Sequence, residues 1–123
     1  MRRIALKFAA LALPSAAIPA SAEEPLTQDQ MVDCAVFAAA FAGSVADQQM
    51  QAGAGFFMTW LVGLYEGETG QRIDETMKRR SIELTPDDFA KLQPGCSARM
   101  IAFGQRLSKL GAEITALEKA AAK

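Results

Sequence analysis

Residues 53–70 read GAGFFMTWLVGLYEGETG, an uncharged, aromatic-rich run that breaks into acid and glycine. Such a run suits a membrane anchor, a ligand pocket or a core helix, and its length and periodicity separate the three. The stretch from Ala52 to Tyr65 spans 14 residues, short of the roughly 20 that cross a bilayer. At 100° per residue, Phe56, Trp60, Leu64, Phe57 and Leu61 share an arc of about 140°, with Met58, Thr59, Val62 and Glu66 outside it. One-sided burial predicts a core helix over about 46–66. Gly53, Gly63 and Gly67 lie at the edge of the Trp60 arc. The Gly63-x-x-x-Gly67 spacing suits a dimer seam or the close passage of another helix of the same chain, and in water the second is expected.

The flanking sequence repeats one kind of helix entrance. Leu26-Thr27-Gln28-Asp29-Gln30-Met31 offers Thr27 as N-cap, Gln30 reaching back from the third helical position, and a Leu26–Met31 hydrophobic staple. The helix that follows carries Met31, Cys34, Ala35, Ala38, Phe41, Ala42 and Val45 on one face and ends near Gly43-Ser44, with Ser44 set to cap its successor. After the Gly67–Gly70 break, Gln71 to about Ile82 reads as a third helix, Ile73 and Met77 inward and Arg72, Lys78, Arg79 and Arg80 largely outward. Leu84-Thr85-Pro86-Asp87-Asp88-Phe89 again has a capping residue, a proline at the first helical position and a staple. Pro94-Gly95 predicts a turn or kink after a short fourth helix.

From Cys96 the apolar positions are Met100, Phe103, Leu107, Leu110, Ile114, Leu117 and Ala121, spaced alternately by four and three. This is a heptad pattern, and it permits a partner helix in trans. For residues 96–110 the expectation is a helix lying across the others, because Cys96 must meet Cys34; beyond Gly111 the segment is expected to project. No strand alternation or hairpin turn competes. The fold class is all-α: a bundle of four to five helices with one disulfide, in a single domain over residues 23–123.

The preceding residues predict export. Arg2, Arg3 and Lys7 precede an apolar stretch through Leu13, and Ala20-Ser21-Ala22 supplies a small-residue cleavage site. This is the pattern of a signal peptide over 1–22, cleaved after Ala22. An oxidising destination, periplasmic or secreted, makes a Cys34–Cys96 disulfide the expected state of the only two cysteines. Without the leader the chain has ten basic and fourteen acidic residues, nine of the acids lying before residue 76 and nine of the bases after 75. The halves should attract. Net negative charge and export disfavour nucleic acid.

Histidine is absent, which removes the commonest general base and the commonest transition-metal ligand. With both cysteines oxidised, no zinc site is expected, and no nucleophile or phosphate-loop motif is present. No cofactor is implied. Carboxylates flank the aromatic run, so a site built from Tyr65, Glu66 and Glu68 is the enzymatic alternative.

At Cys34, the run Trp60-Leu61-Val62-Gly63-Leu64-Tyr65-Glu66-Gly67, and Cys96 opening a leucine-spaced helix, the chain resembles small exported two-cysteine helical proteins of Gram-negative bacteria, most without an assigned function. In layout it is also similar to the periplasmic acid-stress chaperones, compact helical proteins held by one disulfide. That resemblance implies a non-enzymatic role: opening at low pH, exposing apolar surface and binding unfolding clients. The sequence reading is therefore a binding, interaction or chaperone-like protein, a monomer or weak homodimer with an unidentified protein partner and no membrane span after cleavage. An immunity or inhibitor protein for an exported effector is the alternative. The expected interaction surface comprises Trp60, Gly63, Tyr65, Gly67, Ile114 and Leu117.

Overall fold

The computed structural model describes residues 24–122, so the expected leader and its cleavage point lie outside the described residues. Four α-helices account for nearly all of this span: α1 (Gln28–Ser44), α2 (Gln48–Thr69), α3 (Asp74–Glu83) and α4 (Pro86–Ala121). Among the described residues there is no strand, and no helix is long and apolar enough to cross a membrane. The all-α class and the disulfide both stand.

Helix α1 is the hub, packed against α2, α3 and α4. Its entrance forms as expected: the Thr27 hydroxyl accepts from the Gln30 N–H at 3.2 Å, while the Gln30 side chain accepts from the Thr27 N–H at 2.9 Å. Burial departs from the one-faced expectation. Met31, Val32, Cys34, Ala35, Val36, Phe37 and Ala38 are all buried, whereas Ala42 and Val45 are only half-covered. A helix with neighbours on several sides must be apolar around its circumference, and the short side chains of Ala35 and Ala38 allow those neighbours close.

The second helix is rotated from its expected setting. Its buried ridge is Ala54, Phe57, Leu61 and Tyr65, at spacings of three and four, and Phe56 is 63 % exposed. The core-facing side thus lies roughly a quarter turn from the predicted arc. The predicted arc counted aromatic bulk; the structure instead sets the ridge containing Ala54 against α1, the helix it packs with most extensively. Asp47, rather than Ser44, caps α2, its Oδ1 accepting from Gln49 and Met50 at 2.8 and 3.1 Å. At the other end Gly70 takes φ +70°, ψ 12° and donates to the Glu66 carbonyl at 2.9 Å, a left-handed cap that suits glycine.

Helix α3 buries none of its own residues and is pinned at its borders and by one ion pair. Ile73 and Leu84, the residues flanking it, are buried. The Glu66 carboxylate accepts from the Ile73 N–H at 3.1 Å. Arg80, expected outward, turns to α1 and grips Asp33 with Nε–Oδ1 2.6 Å and Nη2–Oδ2 3.3 Å. That two-point contact, with Glu83 beside it, holds the Arg80 guanidinium protonated well above its ordinary range, the hydrogen bond to Asp33 contributing most. It also joins the basic half of the chain to the acidic half. Lys78 pairs with Glu75 and Arg79 with Glu83, so the basic cluster is neutralised within its own helix and across to α1.

The expected turn at Pro94-Gly95 is absent, and four helices rather than five result. Helix α4 runs unbroken for 36 residues with Pro94 inside it. An interior proline costs on the order of 3 kcal/mol, but Ala90 and Pro94 are both exposed, so the carbonyl left without an N–H partner faces water. Continuity keeps Phe89, Leu92, Cys96, Met100 and Phe103 on one side against the core. A turn at residue 94 would separate them.

Cys34 and Cys96 are bonded, with Cα atoms 5.3 Å apart and 62 positions of sequence between them. Closing a loop of that size stabilises the fold by about 4 kcal/mol on the chain-entropy account. Reduction, or a Cys34→Ser/Cys96→Ser double variant, is expected to lower unfolding free energy by about 2–4 kcal/mol in urea titration. A second expectation concerns acid. The N–H and hydroxyl of Thr85 hold the Asp88 carboxyl below its ordinary value, through the capping box at the start of α4. A depressed folded-state value means that this stabilisation is complete above the unfolded value of about 3.9 and disappears as pH falls through the folded one. The melting-temperature deficit of Asp88→Ala should therefore be largest near neutrality and vanish in strong acid.

Candidate interaction groove

The only tryptophan of the chain sits where α4 crosses α2. Trp60 stacks on Phe103 with ring centroids 4.7 Å apart and planes within 17°. Phe57, wholly buried, closes a triangle at 5.9 Å from Trp60 and 6.1 Å from Phe103. Aromatic pairs of this kind contribute about 0.5–1.5 kcal/mol beyond area burial. The triangle fixes α4 on α2 at one point.

On one side of that crossing lies an open groove of about 710 Å³, floored by Trp60, Leu64, Leu26, Met31 and Phe103. Its α4 rim carries Arg99, Arg106 and Lys109; the opposite rim carries Glu24 and Glu68. Arg99 Nη1 donates to the Glu24 carbonyl at 2.7 Å, and Gln28 Nε2 donates to Glu68 at 3.2 Å, so the mouth is partly strapped. Among the described residues, Arg106 and Lys109 form no ion pair. A smaller hollow of about 310 Å³ lies beside Phe103, where Gly53 and Phe56 face Gly104 and Leu107.

Beyond Phe103, helix α4 leaves the core. Every residue from Gly104 to Ala122 is exposed, including the heptad residues Leu107, Leu110, Ile114 and Leu117 at 39–69 %. Packing therefore stops a full turn or more before the expected limit near residue 110. About 18 residues at 1.5 Å each extend some 27 Å beyond Phe103, and α2 accompanies only the start of this arm, its Gly53 and Phe56 facing Gly104 and Leu107 across the smaller hollow.

The expected interaction surface divides accordingly. Trp60 lines the groove, and Ile114 and Leu117 lie on the exposed stripe. Gly63 and Gly67 are exposed with nothing within 4 Å of where a side chain would begin, so among the described residues no helix passes along that seam. Tyr65 is buried on the α1-facing ridge rather than at the surface. That burial also separates the carboxylate constellation: Glu66 is committed to capping α3, Glu68 stands on the groove rim, and Tyr65 belongs to the core. Among the described residues no cluster of three metal-ligating side chains occurs. Sequence reasoning missed the cationic rim, whose signal was the seven-residue recurrence of Arg99 and Arg106 beside the heptad stripe.

Comparison of the chain with protein-family models, curated proteins and solved structures returns no match.

Because Trp60 is the sole tryptophan, its emission reports on the crossing directly. Phe103→Ala should red-shift that emission and reduce stability by about 1–3 kcal/mol, below the roughly 3–5 kcal/mol of a fully buried Phe→Ala change because Phe103 is only half-buried. An unshifted spectrum would show that the stack does not form.

Proposed function

We propose that this protein is an exported, non-enzymatic polypeptide-binding protein of chaperone-like character, acting in a periplasmic or extracellular compartment. The observation that carries the reading is the exposed apolar row Leu107, Leu110, Ile114 and Leu117, with the Trp60–Phe103 groove near its base. Four large aliphatic side chains at heptad spacing on one exposed helix are an amphipathic surface without a partner among the described residues, the kind that lays itself against an apolar segment of another polypeptide. A disulfide anchored in the core lets such a surface stay exposed at modest cost to the rest of the fold.

The proposed role is tested with aggregation-prone clients at neutral and acid pH. Wild-type protein should delay client aggregation, and Leu110→Ser/Ile114→Ser should lose that effect while keeping its helical circular dichroism, since neither side chain belongs to the core of the chain. If the wild-type protein leaves client aggregation unaltered at every pH and ratio, the chaperone-like role is wrong.

A further inference from the structure

We infer that, in the absence of a client, the occupant of the α2–α4 groove is the distal part of α4 from a second copy of this chain, lying antiparallel to its own. The inference rests on reading this groove as a polypeptide-docking surface and names what docks there. An internal occupant from α4 is ruled out by the helix itself. It is continuous from Pro86 to Ala121, so the tail of each chain is carried away from the groove that its proximal half forms.

Charge and spacing select the antiparallel arrangement. With Met100, Leu107, Ile114 and Ala121 as one row of the heptad and Phe103, Leu110 and Leu117 as the other, Arg99, Arg106 and Glu113 precede the first row. Gly104, Gly111 and Glu118 follow the second. These are the flanking positions through which paired helices choose orientation. In a parallel pair Glu113 would oppose Glu118 of the other copy, a like-charge contact. Reversing one helix, so that Leu107 meets Leu110 of the second copy, brings Arg106 against its Glu113 and Glu113 against its Arg106.

Among the described residues Arg106, Glu113 and Glu118 have no ion-pair partner, so the pairs form without breaking others. Gly104 faces Gly111 in the same register, which lets the backbones approach. The register also carries Ile114 of the second copy to the level of Phe103, whose ring lines the groove beside Trp60 and Leu64. The two separated parts of the apolar surface thereby cover each other, twice, about one two-fold axis.

Sedimentation velocity of the exported protein without client, over a range of concentrations, is the test. A monomer–dimer equilibrium is expected, weakened by salt because its specificity is ionic. Arg106→Glu and Glu113→Arg should each raise the dimer dissociation constant about tenfold or more, since each places like charges opposite one another twice. An equimolar mixture of the two variants should recover dimer, as should the Arg106→Glu/Glu113→Arg double variant. Both positions are exposed, and circular dichroism checks that each variant is folded. Protein that stays monomeric overturns the inference, whether the groove is then covered by residues preceding Glu24 or left to a foreign polypeptide. So does a dimer indifferent to both charge reversals. Client protection is scored separately: a dimer that protects nothing leaves this inference standing and removes the chaperone-like role, and the converse result does the reverse.

Discussion

The bond between Cys34 and Cys96 fixes the relation on which the other contacts are built. It joins the middle of the most buried helix to the residue at which α4 turns its apolar side inward. With the bond in place, Phe89 and Leu92 on one side of Cys96 and Met100 and Phe103 on the other are held against the core. An interior proline is then tolerated, since the helix is anchored two residues beyond it.

Around that tie the molecule spends its apolar residues unevenly. α1 is enclosed on nearly every side, α2 on one ridge, and α3 only at its borders, where a two-point Arg80–Asp33 contact does what packing elsewhere does. An arginine fork on a carboxylate supplies direction as well as attraction, which suits a short helix with little to bury. The distal half of α4 buries nothing within the chain. The result is a small core with a long apolar arm, and the groove at the base of that arm is where aromatic packing stops and open surface begins.

Electrostatics follows the same division. The acids of the first half and bases of the second meet in the Arg80–Asp33 pair, and the remaining charges of α3 are satisfied locally. Among the described residues the cations left over lie on α4, with Arg99, Arg106 and Lys109 on the rim of the groove, and the carboxylates left over include those on the arm. A surface both apolar and complementary in charge to its own extension is suited to association in trans, whether with another copy or with a segment of similar character.

The two capping boxes were legible in the sequence, because Thr27 and Thr85 act through residues three positions away; at the start of α2 the sequence offered Ser44, and the structure uses Asp47. The pairing of two cysteines needed only compartment and number, and the heptad stripe was visible as a stripe. What the sequence could not decide was which way each helix faces its neighbours. Aromatic bulk pointed to the Phe56 side of α2, yet the core took the side with Ala54 and Tyr65, because packing rewards fit to α1 rather than the size of one face. Pro94 looked like a turn because helix propensity is local, but the residues on either side belong to one face of one core, and that long-range constraint prevailed. Gly63 and Gly67 looked like a seam because their spacing permits one; only the tertiary arrangement shows that none of the described helices fills it. The sequence by itself determined that the chain is helical, where the two capping boxes lie and which cysteines pair. The tertiary structure decided which faces are buried and where the core ends, and so left one arm of α4 without a partner, because burial depends on neighbours distant in the chain.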